Sequence, residues 1–293
     1  MFRHICRTLA VLAALSASQA TAEKYTLEYK FHPGETIRWD VLHRTKVRTT
    51  VSGTTQTAET SSKSVKVWRV EKVRPGGSAV FQHSVESVDM RQKLAGRSEI
   101  RYNSLTDKKP PAGFEQLAQS VGVPLSLVTM SKHGEIIHRE RMRKSMATQN
   151  EQGRMTIPLP KEPVAIGESW SFPHEMDVDL QSGGVKKVKT LQTFKLTGVK
   201  TGVATIHVAT QVLSPISDPA IEAKLIERGS SGDVRFDIAA GRVLSQQMDL
   251  DKGVVGFRGE ASSIHYLTRF AEKLLPRQVT RVARPATRVL RRR

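Results

Sequence analysis

Apolar and polar side chains alternate along much of the first half of the sequence. Residues 25–31, Tyr-Thr-Leu-Glu-Tyr-Lys-Phe, alternate without exception, and a period of two is typical of a β-strand with one buried face. Three later segments are rich in Val and Thr and lack a helical period: residues 35–51, 65–73 and 80–88. Glycine-containing turns separate these segments, so the pattern predicts long antiparallel hairpins.

The second half of the sequence repeats the order of the first. Residues 34–39, Gly-Glu-Thr-Ile-Arg-Trp, resemble residues 167–172, Gly-Glu-Ser-Trp-Ser-Phe. Two weaker matches follow in the same order: residues 67–73 with 193–199, and residues 77–81 with 202–206. Matches in one order indicate an internal duplication, with chance similarity between generic strands as the alternative. We therefore predict a mainly β protein, with two similar halves of long antiparallel hairpins that form curved sheets, and one or two short helices.

Helical periodicity is confined to short stretches. Residues 112–121 carry four apolar side chains at helical spacing: Phe114, Leu117, Ala118 and Val121. The stretch follows two prolines and stops at Gly122, which favours a helix. Residues 262–275, closed by Pro276, predict a second short helix.

One predicted hairpin can be given a register. Acidic and apolar side chains alternate at residues 175–180 and meet valines and lysines at residues 185–189 across a glycine-rich turn. A three-residue loop predicts three cross-strand pairs: Val178 with Val188, Asp177 with Lys189, and Asp179 with Lys187. A two-residue loop, which would place Val178 opposite Lys189, is the alternative.

An export signal is predicted at the start of the chain. Residues 1–22 combine Arg3 and Arg7, a short apolar run and the small-residue ending Ala20-Thr-Ala22, which is the layout of a secretory signal. An N-terminal core helix is the alternative. Cleavage near Ala22 predicts a periplasmic or secreted protein. The predicted parts of the chain are a signal peptide (1–22), a first β-rich repeat (23–139), a connector (140–163), a second β-rich repeat (164–270) and a basic tail (271–293).

Charge and cysteine content exclude several classes of protein. The chain has 46 Lys and Arg against 28 Asp and Glu, a formal net charge of +18. The only cysteine, Cys6, lies in the predicted signal peptide. The exported chain can therefore form no disulfide and no thiolate metal site, which excludes zinc fingers, cysteine catalysis and disulfide scaffolds.

The C-terminal tail is strongly basic. Five of its arginines recur at spacings of three or four residues: Arg277, Arg281, Arg284, Arg288 and Arg291. A helix here would be amphipathic and suited to an anionic surface such as lipid headgroups, giving a peripheral membrane contact. Pro285 interrupts such a helix, and a disordered, solvated tail is the alternative. We expect no specific nucleic-acid partner, since no stacking platform or recognised motif accompanies the charge.

The sequence contains no recognisable catalytic set. The nucleophile elbow, the H-E-x-x-H helix, the Walker loop and the dinucleotide fingerprint are missing. His133 and His138 flank Gly134 in a predicted hairpin turn, which favours opposite arms over a metal site. Glu35 and Glu168 occupy matching places in the two halves; a structural role after a turn glycine is favoured over an acid/base pair. We lean towards a non-enzyme without cofactor or metal.

Several strand-and-turn patterns resemble a known group of proteins. They are residues 25–35, 110–125, 131–137 and 235–242. These patterns are similar to a family of exported, β-rich, duplicated bacterial proteins of unknown function, and the resemblance covers nearly all of residues 23–270. It implies no activity. The Thr-rich hairpins with short helices also look distantly similar to periplasmic lipoprotein carriers, open half-barrels whose concave apolar face holds acyl chains.

Two functions are consistent with these features. The first is a non-catalytic cell-envelope protein whose curved sheets bind a hydrophobic or anionic ligand, such as a lipid or an anionic envelope component. Six aromatic residues are candidates to line its cavity, with ordinary sheet core as the alternative: Trp39, Trp68, Phe81, Trp170, Phe172 and Phe194. The second is a structural or interaction module that contacts an envelope polymer or a membrane surface through sheet edges and the basic tail.

Overall fold

The computed structural model describes residues 23–142, 155–180 and 183–277. The strands within these ranges are β1 (Lys24–Tyr25), β2 (Thr36–Val51), β3 (Thr54–Val73), β4 (Ala79–Leu94), β5 (Ile100–Asn103), β6 (Pro124–Met130), β7 (Ile136–Arg141), β8 (Val164–Ala165), β9 (Ser169–Asp179), β10 (Val185–Lys200), β11 (Val203–Val212), β12 (Ser231–Asp237), β13 (Arg242–Val255) and β14 (Ser262–Leu274). The helices are α1 (Glu115–Ser120) and α2 (Pro219–Leu225), the latter continued by a 3₁₀ turn at Ile226–Gly229. None of these described helices is long and apolar enough to cross a membrane.

Twelve of the strands form one antiparallel sheet. Its order is β7-β6-β4-β3-β2-β14-β13-β12-β11-β10-β9, with β5 added beside β4. The short strands β1 and β8 pair separately. The sheet is open, with β7 and β9 as the two ends of the main path. Long antiparallel hairpins therefore make up the fold, as the alternation of side chains predicts.

The two halves begin with the same turn. The backbone of Gly34-Glu35 makes two hydrogen bonds with Val70, and the backbone of Gly167-Glu168 makes the corresponding two with Leu196. Each glutamate carboxylate also accepts a hydrogen bond from the backbone N–H three residues earlier, at 2.9 Å in the first half and 2.8 Å in the second. The sequence match at these positions thus corresponds to one repeated local structure.

The hydrophobic core lies on one face of the sheet and is shared by both halves. Strands β2, β3, β4 and β6 contribute buried side chains from the first half, and β10–β13 contribute them from the second. Two extended segments lie within the same cluster, one through Leu27 and Tyr29 and the other through Ile157 and Leu159. The Tyr29 hydroxyl donates to the Ile157 carbonyl at 2.8 Å. The largest buried cluster is therefore common to both halves, while two smaller clusters lie under the helices, one against α1 and one against α2.

In residues 25–31 each apolar side chain is more buried than its polar neighbours, but the segment does not form the predicted seven-residue strand. Only Lys24–Tyr25 pairs in a ladder, with β8. Further on, the Tyr29 N–H donates to the Lys132 carbonyl and the Lys30 N–H donates to the Gly241 carbonyl. The segment thus joins two hairpin tips from different halves. The period of two persists because an extended chain alternates its side chains whether or not it lies in a sheet.

Residues 262–275 form strand β14, so the prediction of a helix there is wrong. The strand pairs along its length with β13 on one side and β2 on the other. Its β-branched and aromatic side chains, such as Ile264 and Tyr266, suit a strand better than a helix. Two complete ladders outweigh a weak local helical pattern.

The helix predicted at 112–121 is confirmed, although it is shorter, at Glu115–Ser120. The second helix, α2, was not predicted. Asp218 caps it by accepting a hydrogen bond from the Ala220 N–H at 2.8 Å, and Pro219 occupies its first turn. Ile221 and Leu225 are buried, four residues apart. An Asp-Pro start followed by this spacing was the available sequence signal.

The predicted register of the β9–β10 hairpin is wrong by two residues. Lys187 lies opposite Asp177, and Lys186 lies opposite Val178. The Leu180 N–H donates to the Gly184 carbonyl, so the strands close one residue earlier in the chain than predicted. A shift of two residues keeps every side chain on its predicted face.

The predicted connector, residues 140–163, falls partly outside the described residues, which stop at 142 and resume at 155. Residues 157–160 are buried. The Leu159 N–H donates to the His133 carbonyl, and the Trp170 indole N–H donates to the Pro158 carbonyl at 2.9 Å. This segment therefore links the β6–β7 hairpin to β9, at the two ends of the sheet.

Candidate functional site

A trough of about 740 Å³ lies over the central strands of the sheet. In β2, Trp39 faces the core, whereas Arg44 has the opposite parity along the strand and faces away from it. We call this second surface the outer face, and its depression the outer trough. The charged side chains lining it come from β2, β3, β4, β13 and β14 and from residue 99: Arg44, Lys46, Glu59, Arg91, Lys93, Glu99, Asp249, Asp251 and Arg269.

The pairing of the strands places four arginines in one line across the outer face. Arg101 lies opposite Arg91, Arg91 opposite Ser61, Ser61 opposite Arg44, and Arg44 opposite Arg269. We call these four arginines the arginine row. Like charges placed directly opposite each other in neighbouring strands destabilise a sheet. The row is therefore a feature that sheet stability does not explain.

The two ends of the arginine row are neutralised by carboxylates. Arg269 binds Asp249 with its Nε at 2.7 Å, and this hydrogen bond lowers the pKa of the Asp249 carboxyl. Arg101 binds Asp89 at 3.0 Å. By contrast, Arg44 and Arg91 form no ion pair with any residue that the structure describes, and both side chains are exposed. The centre of the row thus presents two uncompensated guanidinium groups.

Other carboxylates of the trough have partners of their own. Glu59 binds Lys46 at 2.9 Å, and this contact lowers the pKa of the Glu59 carboxyl. Asp251 contacts His265 at 2.6 Å. No aromatic side chain is among the described residues that line the trough. The surface is therefore suited to recognising charge rather than rings.

The structure places the six predicted aromatic residues in and around the core. Trp68 stacks on Phe81 at 4.5 Å between ring centroids and meets Trp39 edge-on at 4.8 Å. In the other half, Trp170 stacks on Phe194 at 5.7 Å, and Phe172 meets Phe194 edge-on at 6.1 Å. The sequence thus identifies buried aromatic clusters; their role in lining a ligand cavity stays a prediction.

A small enclosed space of about 10 Å³ lies beside Trp39 and Trp68, which is about the room that one water molecule needs. Lys66 reaches into it, with its ammonium 4.6 Å from the Trp39 ring centroid and 5.0 Å from that of Trp68. Lys66 also forms an ion pair with the buried carboxylate of Glu272. The ammonium therefore has both a charge partner and two aromatic faces.

Glu35 and Glu168 each accept a hydrogen bond within their own turn, and Glu35 also contacts two arginines. Its side chain is only 2% exposed and lies 3.3 Å from both Arg242 and Arg277. Arg277 is the first arginine of the predicted surface-binding tail, and here it contacts the protein itself. The other four predicted tail residues lie outside the described residues: Arg281, Arg284, Arg288 and Arg291. The predicted signal peptide, residues 1–22, also lies outside them.

His133 and His138 lie on either side of the turn between β6 and β7, as predicted. Within residues 23–142, 155–180 and 183–277, no three His, Cys, Asp or Glu side chains are grouped to hold a metal ion.

Comparison with known proteins leaves the chain without an assigned family. No family model matches the sequence, and no curated protein matches it. A solved structure entitled "Lipid-protein interactions in lipovitellin" superposes with a TM-score of 0.44 at 12% sequence identity, over 88% of this chain and 27% of that one. The chain thus spans about a quarter of that protein.

Sequence reasoning missed the arginine row. Its members lie far apart in the chain, and only the pairing of five strands brings them into line. The available signal was a set of outward-facing arginines within predicted strands, but their alignment depends on registers that hydrophobic alternation does not fix.

Proposed function

We propose that this is a non-catalytic, exported binding protein that holds an anionic ligand in the outer trough. The observation that carries the proposal is the pair of exposed, uncompensated arginines, Arg44 and Arg91, at the centre of a trough of about 740 Å³. The signal-like residues 1–22 support export to the periplasm or beyond.

A bound anion would relieve the repulsion that the fold leaves in place. Arg44 lies directly opposite Arg269, and only Arg269 has a carboxylate partner. A guanidinium group offers a planar set of donors that matches the oxygens of phosphate and carboxylate groups. A bound anion would therefore supply the negative charge that Arg44 lacks in the protein itself.

The interior gives less support to a purely hydrophobic ligand. The aromatic side chains of Trp68, Phe81 and Phe194 are at most 2% exposed. Trp68 stacks on Phe81, and Phe194 stacks on Trp170. An apolar ligand would have to displace these contacts.

Binding of tripolyphosphate, measured by isothermal titration calorimetry, tests the proposal. We expect Arg44→Gln and Arg91→Gln each to weaken binding about tenfold, equivalent to about 1.4 kcal/mol. Arg48→Gln is the matched control, because Arg48 lies on the same face of β2 and its replacement removes the same charge outside the trough lining. Absence of binding, or an equal loss in the control, would contradict the proposal.

A further inference from the structure

We infer that the anionic ligand is a linear chain of phosphoryl groups that lies across the strands, along the arginine row. The inference rests on the proposed function and adds the shape and length of the ligand. It follows from the direction of the row, the spacing of its members and the chemistry of the residues around it.

The arginine row is longer than any single phosphate. Its ends, Arg101 and Arg269, are separated by four strand-to-strand intervals, or about 19 Å at the usual spacing of about 4.8 Å. The uncompensated pair, Arg44 and Arg91, flanks Ser61 at two intervals, or about 10 Å. A single phosphate spans at most this central pair, whereas a chain can contact Arg44 and Arg91 in succession, pass the Ser61 hydroxyl between them and extend towards both ends of the row.

The residues that line the trough favour a ligand that is recognised by its charge alone. Nucleic-acid surfaces that bind single strands stack bases on aromatic rings, and the described lining has none. A membrane or an acyl chain needs a continuous apolar surface, but the apolar lining consists of Leu250 and Leu267, and Leu250 is buried. A phosphoryl chain requires neither rings nor an apolar surface.

Chain length is the decisive variable in the test. The full-length protein is titrated with orthophosphate, tripolyphosphate and long-chain polyphosphate at one fixed salt concentration. We expect the long chain to bind at least tenfold more tightly per site than tripolyphosphate. We also expect Arg44→Gln and Arg91→Gln to reduce this length dependence, and Arg48→Gln to leave it unchanged.

A gain of affinity gives a second, independent readout. Asp249→Asn frees Arg269 and lengthens the uncompensated part of the row, so long-chain binding should tighten severalfold. Asp251→Asn is the matched control, because Asp251 also lines the trough but pairs with His265 outside the row. Equal tightening in both variants would overturn the inference, since net charge alone would then explain the effect.

The outcomes separate the inference from the proposed function. Equal affinity for tripolyphosphate and the long chain would overturn the linear ligand but leave an anion site in place. Absence of binding to every phosphate probe would overturn both. An oligonucleotide that binds much more tightly than polyphosphate of similar charge would also overturn the inference, because a contribution from the bases would then be required.

Discussion

Gly134 shows how closely the turn between β6 and β7 is packed against the rest of the protein. It has a φ of +82°, and a Cβ atom built there would lie 2.6 Å from the Ile157 carbonyl oxygen and 2.9 Å from the Tyr29 ring. Glycine is required both for the left-handed backbone and for the space. This one position thus depends on two distant segments of the chain.

Gly134→Ala should destabilise the protein by about 3 kcal/mol, because backbone strain and steric overlap act together. Gly53→Ala is the matched control: φ is +78° but no atom lies within 4 Å of the added Cβ, so a loss of about 1 kcal/mol is expected. Urea unfolding measures both values. Equal losses would show that contact with Ile157 and Tyr29 is unimportant.

His83 makes stability depend on pH. Burial, together with the nearby charges of Lys66 and Arg139, lowers the pKa of the imidazole to about 3, whereas an unfolded histidine titrates near 6.5. Below pH 6.5 the unfolded chain therefore binds a proton that the folded protein rejects. Between pH 6.5 and 3, the wild type should lose up to about 1.4 kcal/mol per pH unit more than His83→Asn. Unfolding curves at several pH values measure this, and parallel pH profiles would refute it.

At the scale of whole elements, β14 and residues 25–31 show what the sequence determines. The alternation at 25–31 correctly predicts which side chains are buried, but the ladder that an extended segment joins depends on partners far away in the chain. At β14 the local pattern was ambiguous, and pairing with β2 and β13 decided the outcome. The arginine row could not be predicted from the sequence for the same reason, because it depends on pairing between distant strands.

Helix α2 depends on its cap. Asp218→Ala removes the acceptor for the Ala220 N–H and should destabilise the protein by about 1 kcal/mol. Asp218→Asn keeps an acceptor at this position, so it should recover most of the stability. Thermal unfolding followed by circular dichroism compares the two, and equally large losses would show that the cap does not matter.

For the whole molecule, the main core makes the two halves interdependent. The Trp39 indole N–H donates to the Val243 carbonyl at 3.2 Å, and buried residues of both halves form one cluster. The sequence predicts most of the long hairpins, since side-chain alternation is a local pattern, whereas the internal duplication stays a prediction. It does not predict that the halves share an interior, because no local pattern records which faces meet.

A fragment of residues 23–142 should therefore fail to fold alone. It retains β2–β7 but loses the side chains from β10–β13 that cover its core residues. We expect no cooperative thermal transition and solvent-exposed tryptophan fluorescence, with residues 23–277 as the folded control. A cooperative transition in the fragment would show that the first half is an independent domain.

The position of β14 has a consequence for the kinetics of folding. This strand comes after all the other strands of the sheet in the chain. In the sheet, however, it lies at the centre, between β2 and β13. Until β14 has paired with them, β2 and β13 each present an edge with unpaired backbone groups. Such edges promote aggregation. Closure also requires contacts between residues more than 200 positions apart, such as Leu267 with Lys46, and contacts of such long range slow folding. The polypeptide should therefore reach its native state only after β14 has been synthesised, and it should benefit from a chaperone that shields those two edges until then.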